Sequence, residues 1–150
     1  MIGVDVKTDD LQRDILRYLV GLDEVAREGL VDGALAAIDS ARETISATTT
    51  RRTGDLEDRW HVGWTGRYER LVTSMSEHAV FIDAGTRPHV IAARNAKFLR
   101  FVQGGEVKFR RSVNHPGTKA RPFVALAQAA GQIAMRETVE SGLDRLAANF

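Results

Sequence analysis

The first third of the chain places its apolar residues with a helical period. Leu11, Ile15, Leu19, Leu22 and Ala26, then Leu30, Ala34, Ile38, Ala41 and Ile45, recur at the spacing that lines one face of an α-helix. Asp9 stands where an N-cap belongs, and Gln12 completes a capping box. The stripe predicts one long N-terminal helix over residues 9–47, on the order of 50 Å at the usual rise per residue. Gly21, Gly29 and Gly33 each weaken it by up to about 1 kcal/mol relative to Ala, and a kink is expected near Gly21. Such a helix cannot bury its whole length against the remainder, so part of it should project or meet another subunit.

Residues 48–54, Thr-Thr-Thr-Arg-Arg-Thr-Gly, read as a linker ending at the turn residue Gly54. From there the period becomes two. Leu56, Trp60, Val62 and Trp64 share one face, Thr65-Gly66-Arg67-Tyr68 turns the chain, and Leu71, Thr73 and Met75 alternate on the return. This predicts a hairpin with both tryptophans in the core. A short middle helix follows over 77–84, with Val80, Phe81 and Ala84 packing down and Gly85 closing it. A second hairpin runs out over 90–102, turns at Gln103-Gly104-Gly105-Glu106 and returns over 107–113, with Val107, Phe109 and Arg111 on one face. The last helix spans 121–148, with Pro122 in its first turn and Phe123, Leu126, Ala130, Ile133 and Ala134 along its inner side. Strands flanked by helices without βαβ alternation predict a single α+β domain. Its sheet region, 55–114, should be an antiparallel sheet of about four strands.

A chain of 150 residues suits one domain, and 43% apolar with 27% charged residues is ordinary for a soluble protein. No apolar run approaches the ~20 residues that span a bilayer, and a basic n-region followed by an apolar stretch is absent, so neither membrane insertion nor a secretory leader is expected. The absence of cysteine excludes disulfides, thiolate nucleophiles and Cys-ligated zinc. His61, His78, His89 and His115 lack metal-site spacing, and no nucleophile elbow surrounds Ser74 or Ser76, although His78 and Asp83 follow closely. No phosphate-binding glycine motif occurs. The expectation is a non-enzymatic chain with no metal, cofactor or small-molecule substrate.

Charge is unevenly spread. Residues 1–50 carry ten acids and five bases, whereas residues 51–120 carry seven acids and thirteen bases. Within 86–121, Arg87, Arg94, Lys97, Arg100, Lys108, Arg110, Arg111, Lys119 and Arg121 face a single acid, Glu106, giving +8 in a chain of net +1. An acidic third beside a basic third either neutralises itself within the molecule or lets copies pack head to tail. The basic hairpin admits three readings: a solvated face, a docking surface for an acidic neighbour, or a DNA-facing surface, since phosphate contacts need only Lys or Arg. Phe98 and Phe101 do not alternate like base-stacking platforms, and Phe98, Phe101 and Phe109 are assigned to core or interface. Docking is the preferred reading. Its candidate residues are the nine cations and His89; Gly54, Gly85, Thr86, Pro116, Gly117 and Pro122 are candidate structural turns.

Two short modules bracket this basic segment and contain all three prolines: Asp83-Ala84-Gly85-Thr86-Arg87-Pro88-His89 and His115-Pro116-Gly117-Thr118-Lys119-Ala120-Arg121-Pro122-Phe123. Ala79-Val80-Phe81-Ile82-Asp83-Ala84-Gly85-Thr86 resembles a signature of the tail-completion and head–tail joining (neck) family of long-tailed bacteriophages and prophages. Thr53-Gly54-Asp55-Leu56 resembles that family's lead-in to the sheet. Lys97-Phe98-Leu99-Arg100-Phe101, His115-Pro116-Gly117-Thr118 and Ala120-Arg121-Pro122-Phe123 then follow in the family's order. The resemblance covers roughly residues 10–148, with 87–94 more basic and 48–52 more polar than the commonest pattern.

The resemblance implies a structural virion protein that completes the tail and joins it to the head as a ring of identical copies, without catalysis or cofactor. Tail symmetry points first to a hexamer, then to a dodecamer. Implied partners are the tail terminator, head-closure or connector proteins and the tail tube, with nonspecific contact to genomic DNA in the channel as a further one. The implied location is the virion neck, and the host cytoplasm during assembly. A tail terminator or head-closure protein is the neighbouring alternative. A nonspecific DNA-binding protein using the basic hairpin is the alternative of another class.

Overall fold

Forty residues of continuous helix, α1 (Asp9–Thr48), open the computed structural model, which describes residues 8–48 and 55–149. A helical turn α2 (Asp55–Asp58), strands β1 (Trp60–Gly66) and β2 (Glu69–Ser74), and a short helix α3 (Ala79–Asp83) follow. Strands β3 (His89–Ala92), β4 (Leu99–Gln103), β5 (Glu106–Arg110) and β6 (Ser112–His115) lead to the final helix α4 (Phe123–Ala147). The fold is α+β. Apart from Thr48, the last residue of α1, the expected linker and its Gly54 lie outside the described residues. The chain divides into two compact units, residues 1–76 with 123–150, and residues 77–122.

In the first unit α1 and α4 run antiparallel, with Gly21 opposite Leu146 and Gly33 opposite Gly131. Their backbones touch. A Cβ on Gly33 would lie 2.8 Å from the Gly131 carbonyl oxygen, and one on Gly131 would lie 2.7 Å from that of Gly33. Gly29 and Gly142 make similar contacts with Val139 and Val25. Small residues four apart on both helices permit this approach, as small-xxx-small patterns do generally. The helix runs unbroken through Gly21, Gly29 and Gly33, which serve as contact points. Around them lies the core: Val25, Ala34, Ile38, Ala41 and Ile45 of α1, Leu56 of α2, and Phe123 and Ala127 of α4. Arg145 pairs with Glu28 at 3.2 Å, and the Thr138 hydroxyl donates to Asp32 at 2.8 Å.

That close approach also corrects the expected inner side of α4. Its buried line is Phe123, Ala127, Gly131 and Gly142, while Leu126 and Ile133 are exposed. Leucine and isoleucine at the crossing would hold the backbones apart, so the small residues turn inward. In α1 the second half of the stripe is buried, but Leu11, Ile15 and Leu19 are exposed. The packed face of α4 ends at Leu146, beside Gly21, leaving the first three turns of α1 without it.

The β1–β2 hairpin pairs Trp60 with Ser74, Val62 with Val72 and Trp64 with Arg70 around a two-residue turn at Arg67 and Tyr68. Cross-strand partners share a face, so Leu71 and Met75 lie opposite the tryptophan face and are exposed. Trp60 is half-buried, edge-on to Phe123 with ring centroids 6.1 Å apart. Trp64 is exposed, contrary to the expectation of a core residue, and its ring meets the cross-strand guanidinium of Arg70 as a cation–π partner. Leu56 is buried as expected for an apolar residue, but from α2 and not from a strand.

The second unit carries the remaining ladders. β3 pairs β6 and β4 pairs β5, both antiparallel, so the described strands form three two-stranded sheets where one sheet of about four strands was expected. The excursion 93–98 on the outgoing side faces only Arg111 on the return, and this mismatch splits the long hairpin in two. Gly104 and Gly105, at φ +63° and +81°, supply the left-handed pair that a tight hairpin turn requires. α3 leaves Val80, Phe81 and Ala84 exposed instead of packing them down. None of residues 77–122 is buried.

Candidate docking surface

The two modules seen in the sequence meet in space. Gly85, at φ +71°, turns the chain after the Ala84 C-cap of α3 and brings Thr86 beside Thr118. The two residues exchange backbone hydrogen bonds, Thr86 N–H to the Thr118 carbonyl at 3.0 Å and Thr118 N–H to the Thr86 carbonyl at 3.1 Å. Their hydroxyls lie 3.0 Å apart, and the Thr86 hydroxyl also accepts from the Thr118 N–H. The Arg121 N–H donates to the carbonyls of Ile82 and Asp83 at 3.0 and 3.1 Å. This clasp leaves no room for side chains at its glycines. A Cβ on Gly85 would lie 2.6 Å from the Thr118 carbonyl oxygen, and one on Gly117, at φ +86°, would collide with the Thr86 carbonyl.

Above the clasp the chain runs as a two-stranded arm over 86–118. His89 and His115 are register partners at its base, with rings 5.1 Å apart. The His89 Nδ1–H donates to the Arg87 carbonyl at 2.8 Å, and His115 Nδ1 accepts from the Gly117 N–H at 3.1 Å. Pro116 follows β6, and Pro122 immediately precedes α4.

The candidate cations are spread along this arm. Arg87 lies at the base, Arg94 and Lys97 in the excursion, Arg100, Lys108 and Arg110 on the outer ladder, Arg111 between β5 and β6, and Lys119 and Arg121 beyond the clasp. Lys108 and Arg121 are half-buried and the others exposed. Among the described residues, none of Arg87, Arg94, Lys97, Arg100, Lys108, Arg110, Arg111 or Lys119 meets a carboxylate. An open concavity of about 590 Å³ brings Arg100, Lys108 and Arg110 together with Phe101, Val113 and His115. The remaining candidates do not line it.

Register divides the outer ladder into two unlike faces. Arg100 with Phe109 and Val102 with Val107 share one face, and all four are exposed. Leu99 with Arg110 and Phe101 with Lys108 share the other, where Leu99, Phe101 and Lys108 are half-buried. Arg111 stands outside both strands, so it does not continue the face of Val107 and Phe109.

A polar junction in the first unit went unseen in the sequence. Asp23 of α1 accepts from the Tyr68 hydroxyl at 2.7 Å and from Arg67 Nε at 3.1 Å, and it pairs with Arg27 at 3.0 Å. The Tyr68 and Arg67 hydrogen bonds hold the Asp23 carboxyl below the usual aspartate range. The same bond to Asp23 pushes the Tyr68 phenol up. Nearby, burial lowers Arg70, helped by the charge of Arg27. The sequence signal was only Asp23 four residues before Arg27 and a turn rich in donors.

Among the described residues no group of three or more His, Asp or Glu side chains could hold a metal ion, and no helix is long and apolar enough to cross a membrane. No family model matches the chain, and neither a curated protein nor a solved structure matches it.

Proposed function

We propose that this protein is a structural component of the neck of a long-tailed phage, completing the tail and joining it to the head as a ring of identical copies. The observation that carries this reading is the clasped arm. Residues 77–122 fold into a defined unit without burying a single side chain. Two-stranded ladders are marginal in water by themselves, so such a unit draws its stability from whatever covers it. The order of motifs around the arm, Gly85-Thr86 before it and His115-Pro116-Gly117-Thr118 after it, supports the neck family in particular. In this reading the chain docks and catalyses nothing, and closed rings follow from one patch meeting a different patch on the next copy.

Electron microscopy of lysates from a phage with a nonsense mutation in this gene tests the reading. Filled heads accumulating beside full-length, unjoined tails are the expected result. Tails of uncontrolled length would assign the chain to tail termination, and heads that lose their DNA would assign it to head closure. Complete infectious particles would overturn the neck reading.

One observation favours a second function: eight arm cations meet no carboxylate among the described residues. A nonspecific duplex-DNA binder with several phosphate contacts loses about 10³-fold in affinity between 50 and 200 mM salt. The docking reading expects no useful duplex affinity at physiological salt.

A further inference from the structure

We infer that the exposed start of α1 in one copy lies across the apolar face of the β-arm in the next copy. The inference rests on the ring reading above and names the surfaces that meet. Both surfaces are built and uncovered. On α1, Leu11, Ile15, Leu16, Leu19 and Val20 are 50–63% exposed, although they crowd into three turns. On the arm, Val102, Val107 and Phe109 are 46–62% exposed and share their face with Arg100. A helix presenting one apolar side to a shallow groove is a recurrent recognition mode.

Charge selects the occupant. Residues 9–20 carry three acids and two bases and the rest of α1 six acids and two bases, whereas 86–121 bears nine bases and one acid. Within this chain, the start of α1 is therefore the segment that offers exposed apolar residues on a helix of net negative charge. Packing one arm against another would bring together two segments that each carry nine bases and one acid, a like-charge arrangement that disfavours association. Pairing two α1 starts would leave the arm uncovered. Dimensions agree as well. The twelve residues 9–20 extend about 18 Å as a helix, and a five-residue strand such as β4 or β5 extends about 17 Å. Because the two surfaces differ and belong to the same chain, each contact leaves one of each free, and the contact can repeat around a ring.

The lack of cysteine makes a direct test available. The full-length Ile15→Cys and Val107→Cys variants are purified separately, mixed at concentrations where sedimentation shows assembly, and mildly oxidised. The mixed disulfide should exceed either same-variant disulfide by about tenfold, a preference of about 1.4 kcal/mol. Val107→Glu and Ile15→Glu should each reduce assembly about tenfold or more while leaving the thermal midpoint of the monomer unchanged, since both sites are exposed. Dominant 15–15 disulfides would overturn the inference in favour of helix-to-helix pairing, and dominant 107–107 disulfides in favour of arm-to-arm pairing. A wild-type chain that stays monomeric up to its solubility limit would overturn it too. Since these readouts use purified protein, they can fail while the phage lysate still shows unjoined tails, and the reverse also holds.

Discussion

Where α1 crosses α4, carbonyl oxygens approach within van der Waals contact of the facing glycines, and Phe123 is 1% exposed beside Trp60. Along the arm the opposite holds, since no side chain between 77 and 122 is buried and hydrogen bonds of the clasp and ladders do the shaping. The first region derives stability from packing, a term that grows with apolar area removed from water. The second obtains its shape from backbone pairing and leaves its apolar side chains exposed. Substitutions of the same chemical kind should therefore have very different effects in the two.

The sharpest contrast comes from phenylalanine. Phe123→Ala should lower stability by about 3–5 kcal/mol in urea denaturation followed by far-UV circular dichroism, because it empties a fully buried site. A loss below about 1 kcal/mol would mean that the helical unit is not held by this core. Gly131→Ala should cost about 1–2 kcal/mol in the same assay: the new methyl meets the Gly33 carbonyl oxygen and Ala37, and a gain in helix propensity of up to about 1 kcal/mol only partly offsets the overpacking. An increase in stability would show that the helices can slide apart without penalty.

Gly117→Ala acts locally. It forces an alanine into φ +86° against the Thr86 carbonyl, so the clasp should open and trypsin should cut within 87–119 faster than in the wild type, with the helical midpoint little changed. Unaltered tryptic patterns would show that the clasp does not hold the arm.

Tyr68→Phe tests the Asp23 junction through pH. Asp23 is depressed in the folded state, so its contribution is present above the ordinary aspartate range and lost as pH falls through its lowered value. Tyr68 is raised, so its contribution is complete below the ordinary tyrosine range and lost as pH rises through the higher value. Removing the hydroxyl should flatten both limbs of the urea midpoint against pH; unchanged limbs would mean that the bond does not persist in solution. Phe109→Ser should be the smallest effect, within about 0.5 kcal/mol of wild type, since Phe109 is exposed in the single chain.

Much of the framework was legible from sequence because periodicity reports which side of an element is apolar. The α+β class, the three helices and the second half of the α1 stripe followed from that signal. Periodicity does not report what a face meets. Leu11, Ile15 and Leu19 continue the stripe faithfully, yet α4 packs only as far as Gly21, so they stay exposed. Leu126 and Ile133 are the larger residues of α4, yet the approach of two backbones puts Ala127 and Gly131 inside. The informative cue was the four-residue spacing of Gly29 with Gly33 and of Ala127 with Gly131, which looked like helix weakness when each glycine was weighed alone.

Strand faces failed for a related reason. The two-residue turn at Arg67 and Tyr68 pairs Gly66 with Glu69, but a bulge between Trp64 and Gly66 then shifts the register by one and sets Leu71 opposite Gly63 in place of Trp64, a geometry that alternation within either strand does not encode. The two Gly-Thr modules were visible as turns. Their union across 32 residues depends on backbone bonds between Thr86 and Thr118, for which composition offers no sign.

Because Thr86 and Thr118 stand side by side, the chain leaves and rejoins the rest of the unit at one place. Whatever lies between them behaves as a cassette. Residues can be added in matched pairs at the Gly104-Gly105 tip without moving either end, each pair lengthening the arm by about 3.3 Å. Reach and surface character can thus change in small steps by editing a single loop.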